Sequence, residues 1–170
     1  MHILNRLIGQ APNPISMRER LRSAGGALLG ISLTGLGGSL VVGFEPSLPA
    51  LIAPMGASAV LLFAVPSSPL AQPWSILGGN ILSATVGVTV AALVPDPALA
   101  SGLAIGIAIA AMMALRCLHP PSGAIALTAV LGGPSIHAMG YGFVLWPVLG
   151  NSLALLLLAI ILNNLAGRRY

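Results

Sequence analysis

Hydrophobic residues run along most of this chain in long blocks instead of alternating with polar ones. Three blocks, Ser23–Phe44, Trp74–Val94 and Gly142–Leu162, each hold about the 20 apolar residues a helix needs to cross a bilayer. A fourth, Ala98–Leu115, is slightly shorter. Two further apolar segments, Leu48–Val65 and His119–Gly133, carry proline and glycine near their starts. The pattern predicts an all-α membrane protein with six transmembrane segments, the second and fifth short or broken. The alternative is four crossings plus two re-entrant hairpins at those same two segments.

The two interrupted segments resemble each other. Pro54-Met55-Gly56-Ala57-Ser58-Ala59 and Pro121-Ser122-Gly123-Ala124-Ile125-Ala126 share the pattern P-x-G-A-x-A. Downstream of each lies a Gly-Asn pair, Gly79-Asn80 and Gly150-Asn151. An internal repeat of three crossings per unit follows, residues 23–94 and 98–165. An odd number of crossings inverts the second unit relative to the first, the plan common in transporters. Residues 23–165 then form one transmembrane domain, with a cytoplasmic or interfacial leader at 1–22 and a cytoplasmic tail at 166–170. Small residues recur every four positions at Gly26, Gly30, Thr34 and Gly38, at Gly79, Ser83, Gly87 and Ala91, and at Gly102, Gly106, Ala110 and Ala114. Such stripes let helix backbones touch. The last block, with Leu153 and Leu155–Leu158, has no stripe and is expected to face lipid.

Composition agrees with the pattern. The chain is 56% hydrophobic and 6% charged, with mean hydropathy +0.98, whereas a soluble domain is about a quarter charged. A net charge of +4 would suit a nucleic-acid partner if it were clustered. Instead all seven basic residues are arginines, and six of them (Arg6, Arg18, Arg20, Arg22, Arg168, Arg169) lie at the two ends. That distribution sets membrane topology and argues against nucleic acid. Six crossings put every arginine and both termini on the cytoplasmic side, with Glu45 and Asp96 opposite. Cys117, the single cysteine, excludes an intramolecular disulfide.

Candidate chemistry gathers at Arg116-Cys117-Leu118-His119-Pro120-Pro121-Ser122-Gly123-Ala124. Helix N-termini expose unpaired N–H groups and partial positive charge. Helices starting at Pro54 and Pro121 would aim two such ends into the bundle, with Gly56, Ala57 and Gly123 permitting close approach and Ser58 and Ser122 offering hydroxyls. The arrangement suits a small anion. His119, beside Pro120, can donate to an anion or exchange a proton, or it can cap the helix. Asn80 and Asn151 either bind substrate or lock helices together. Arg116 is either a vestibule charge that attracts anions or a snorkelling anchor. His2 and His137 read as surface residues. Cys117 and His119 are two ligands, too few for a metal site, so neither a metal nor a cofactor is expected. Three acids outside the spanning blocks and no nucleophile elbow point away from an enzyme.

At His119-Pro120-Pro121 the chain resembles the HPP family of integral membrane proteins. The likeness extends through the block Pro54 to Asn80, PMGASAVLLFAVPSSPLAQPWSILGGN. The resemblance implies a transporter of a small inorganic anion, with nitrite as the expected ion, in a bacterial cytoplasmic membrane. Asn80 stands where family members often carry histidine, and an asparagine cannot carry a proton. A non-transporting scaffold or sensor subunit is the alternative. A bundle this small gains stability by associating, so a homo-oligomer, simplest as a dimer, is expected.

Overall fold

The computed structural model describes residues 15–43, 48–165 and 167. Among the described residues every regular element is helical: α1 (Met17–Val42), α2 (Pro54–Ala64), a 3-10 turn (Pro69–Ala71), α3 (Pro73–Leu93), α4 (Pro97–Ala114), α5 (Pro121–Leu131), α6 (Gly133–Met139), a π turn (Val144–Leu149) and α7 (Gly150–Leu165). The expected placements of His2, Arg6, Glu45, Arg168 and Arg169 lie outside the described residues.

Prolines start the helices. Pro54, Pro73, Pro97 and Pro121 each open one, where a missing N–H leaves no intrahelical bond unmade. Side-chain caps add to this: Asp96 Oδ1 accepts from the Leu99 N–H at 2.7 Å, and Ser16 Oγ accepts from the Glu19 N–H at 3.2 Å. With that cap α1 begins at Met17, upstream of the expected boundary at Ser23.

Among the described residues four helical stretches are long and apolar enough to cross a membrane: Met17–Val42, Pro73–Leu93, Pro97–Ala114 and Val144–Leu165. The pair α5 and α6 passes the same test together but bends by 98° between its halves, at Gly132 and Gly133, the latter at φ +76°. Packing gives the direction of the short helices. Leu51 lies against Gly35 and Ala50 against Gly38, while Phe63 fills the space above Gly26 and Gly30. Residues 50–63 therefore run antiparallel to α1 over about 18 Å, at 1.5 Å per helical residue of α1. Along α3, Trp74 Nε1 donates to the Leu115 carbonyl, Gly79 meets His119 and Ser122, and Gly87 meets Ala126 and Ala129. Residues 115–129 thus run parallel to α3.

Two stripes pack inside the bundle as expected. Gly30, Thr34 and Gly38 are buried on α1, and Gly79, Ser83 and Gly87 are buried on α3. The third departs from expectation: α4 buries Ala100, Ala104, Ala108 and Met112, and its Gly102, Gly106, Ala110 and Ala114 face outward. Both faces of α4 are made of small residues, so the pattern alone could not say which one meets α3. The last block is corrected in part: Leu153 and Leu157 are exposed as expected, but Leu155 and Leu156 are not. Its span is the most buried of the four, with Leu155 and Leu156 in the core and Leu155 reaching Gly30. Leucine reads as lipid-facing in sequence, yet here Leu155 helps fill the space that Gly30 leaves on α1.

Candidate functional site

The HPP segment owes its shape to how α4 ends. The Cys117 N–H bonds the Met112 carbonyl at 2.9 Å and the Arg116 N–H bonds that of Met113 at 3.2 Å, a Schellman closure with Arg116 in the left-handed position. Its φ is +54°, a conformation that usually falls to glycine. The chain then folds onto α3 at Gly79, where a β-carbon would stand 2.8 Å from the Cys117 carbonyl oxygen and 2.9 Å from Ser122 Oγ. Only glycine admits that approach.

Two polar clusters meet there. His119 is fully buried. Its Nδ1 lies 2.7 Å from the Leu70 carbonyl and its Nε2 lies 2.9 Å from Ser58 Oγ. A carbonyl only accepts, so Nδ1 carries the proton, and in the neutral ring Nε2 accepts from the Ser58 hydroxyl. Protonating Nε2 would reverse that bond and turn the Ser58 hydroxyl hydrogen elsewhere. On the other side of Gly79, Ser122 Oγ donates to Asn80 Oδ1 at 2.7 Å. Asn80 Nδ2 donates to Ser152 Oγ at 2.8 Å, and Ser152 donates in turn to the Val148 carbonyl at 2.7 Å. The two clusters join α2, the 3-10 turn, α3, α5 and α7.

Asn151 stands apart. It is 1% exposed, and neither its Nδ2 nor its Oδ1 has a hydrogen-bond partner. The indole Nε1 of Trp146 is likewise buried and unpartnered. Trp146 breaks the last span, with φ −139° and ψ 127° ahead of Pro147, and Asn151 sits on the first turn of α7 just past that break.

The expected site residues divide into two sets. Pro54, Ser58, Asn80, His119, Pro121, Ser122 and Asn151 are buried, whereas Gly56, Ala57 and Pro120 are exposed and Gly123 is half-buried. Ala57, Pro120 and Pro121 line an apolar groove of about 460 Å³ with Val60, Leu61 and Ala124, and a β-carbon at Gly56 or Gly123 would meet nothing. The expectation of free N–H groups at both helix starts is corrected. Met55 and Gly56 donate to Ile52 and Ala53, and Ser122 and Gly123 donate to His119 and Pro120. The backbone ahead of each proline is already helical, with Ala53 at φ −53° and Pro120 at φ −54°, so its carbonyls take up the first-turn donors. Arg116 is exposed at the end of α4. Ser152 and the Leu70 carbonyl were missed. The Asn-Ser pair in GNS was a signal for the first; nothing in sequence marks a carbonyl in a loop. Among the described residues no three His, Cys, Asp or Glu side chains gather.

A buried polar network inside a bundle of long apolar helices defines a multi-pass, all-α membrane protein. The profile of the HPP transmembrane region matches residues 12–170, and the chain belongs to that family. Two transmembrane proteins of Dictyostelium discoideum are similar, one 40% identical over 129 residues (74% of this chain, 45% of the relative) and one 42% identical over 123 residues (70% and 39%). The chain spans less than half the length of these curated relatives. No solved structure matches.

Proposed function

We propose that the chain crosses the membrane six times as two inverted three-helix units and carries a small inorganic anion, nitrite by its family resemblance, through the region between Asn151 and the His119 network. The observation that carries this reading is Asn151. Burying an amide without a partner costs roughly 2–7 kcal/mol, and ionisable or polar groups inside a membrane bundle mark pathways. Asn80, its counterpart in the other unit, is held on both sides by serines. Positions matching those serines by the repeat are Met55 and Ile81, so exchanging the conformations of the two units supplies Asn151 with no partner. Its partner comes from outside the chain, and two N–H donors suit an oxyanion.

In this reading Asn80, Ser58 and Ser122 shape the path and hold the helices, while His119 exchanges a proton at Nε2 and Arg116 raises the local anion concentration. The chain works without chemistry on its cargo, in a cytoplasmic membrane and as a homo-oligomer. The test is flux into liposomes made with the pure protein. Nitrite uptake above empty liposomes, lost in Asn151→Leu with the protein still folded, is the expected result. No flux of nitrite, nitrate, chloride or bicarbonate from folded protein would move the family member to the scaffold or sensor class.

A further inference from the structure

Helix α1 carries Arg18, Arg20 and Arg22 on its first turns, with Glu19 as the one acid among them. Two apolar grooves flank this end of the helix. One, of about 200 Å³, runs between α1 and α7 and is lined by Leu21, Gly25, Gly26, Leu29, Phe63 and Leu162, with Arg22 and Asn163 at its polar end. The other, of about 310 Å³, runs between α1 and α2, with Arg20 and Ser23 at the polar end and Ala24, Ala27, Val60 and Ala64 along its walls. Phe63 lines both grooves.

We infer that this end of α1 binds anionic phospholipid on both flanks, with an acyl chain laid in each groove and its phosphate held by the arginine at that groove's polar end, Arg22 in one and Arg20 in the other. Charge and shape argue together. The only ion pair of Arg22 among the described residues is a long one, 3.7 Å to Glu19, which leaves guanidinium donors over. Three arginines against one acid leave an excess of positive charge at the end of α1 that both hydrocarbon-lined grooves flank. An acyl chain fits those walls, whereas a free phosphate would use only the arginines. Arginine pairs with phosphate through a planar fork, and basic residues between spanning helices are a recurrent headgroup site.

The experiment titrates the purified full chain, in neutral detergent, with phosphatidylglycerol, phosphatidylcholine or inorganic phosphate. Bound lipid is counted by native mass spectrometry and thermal unfolding is followed in parallel. Phosphatidylglycerol should be retained and should raise the unfolding temperature, while the other two do neither. The double variant Arg20→Gln, Arg22→Gln should weaken retention by about fivefold at each groove, one arginine being lost from each. Gly25→Leu keeps every charge but projects into open groove, since a β-carbon there meets nothing; it should weaken retention too. Arg18→Gln, which lines neither groove, and Gly102→Leu, which opens on another face, should leave it within threefold. Equal retention of phosphatidylcholine, an equal rise with inorganic phosphate, or equal loss in Arg18→Gln would each overturn the inference.

Discussion

Asn80 and Asn151 are chemically identical and structurally opposite. Replacing Asn80 by leucine strips Ser122 of its acceptor and should cost about 1–3 kcal/mol. Replacing Asn151 removes an amide with nothing to bond and should stabilise the protein by a similar amount, about 1–3 kcal/mol, while abolishing flux. Thermal unfolding in detergent, read beside liposome flux, separates the two. His119→Ala leaves the Leu70 carbonyl and the Ser58 hydroxyl unpaired, so folded yield should fall. In the proposed transport reading, the uptake that remains should lose its pH dependence. A pH profile of unchanged shape would confine His119 to a structural role. At Arg116 the left-handed backbone is strained for any residue with a side chain, by about 1–2 kcal/mol. Arg116→Gly should relieve that strain and raise the unfolding temperature, while lowering the rate of nitrite entry at low ionic strength.

Between helices, the glycines sort into those that bear contact and those that do not. Gly79 sits under Cys117, Ser122 and His119. An alanine there overpacks the HPP segment and should cost about 1–3 kcal/mol, as measured by thermal unfolding, because backbone and a buried ring cannot give way. Gly102, from the outward stripe of α4, meets nothing, and its alanine variant should stay within about 0.5 kcal/mol of the parent. The same periodicity thus has opposite consequences on α3 and α4. The starts of α2 and α5 were legible because proline at a first helical position leaves a local mark. That their first donors would be used up was not, since it depends on the conformation of Ala53 and Pro120 just upstream.

Across the whole molecule, the amino end of α1, the 66–72 loop and Arg116 are brought to one end of the bundle. Phe63 at the close of α2 lies beside Gly26, Trp74 reaches Leu115, and Asn163 near the end of α7 donates to the Leu62 carbonyl at 2.9 Å. In the proposed six-pass arrangement this end is cytoplasmic. Single cysteines at Arg18, Ser67 and Arg116 in a Cys117→Ala background should then be protected from an impermeant thiol reagent in intact cells. Cysteines at Asp96 and Ser135 should be labelled. Labelling of Ser67 together with Asp96 from outside would rule the arrangement out.

Sequence alone determined what is local and what is summed along the chain. Long apolar blocks impose helices in a bilayer, because no other single segment satisfies its own backbone there. Prolines mark helix starts, arginines crowd the ends, and the HPP block carries the family. Tertiary structure decided everything that depends on which face meets which. It turned the α4 stripe outward, drew the leucine-rich last span into the core, and closed the first-turn donors on their own chain. It also joined Ser58 to His119 across 61 positions of chain and left Asn151 alone. The reason is physical: within a chain of small and aliphatic residues nearly every helix face can pack, so the choice among them rests on shape complementarity between helices distant in sequence.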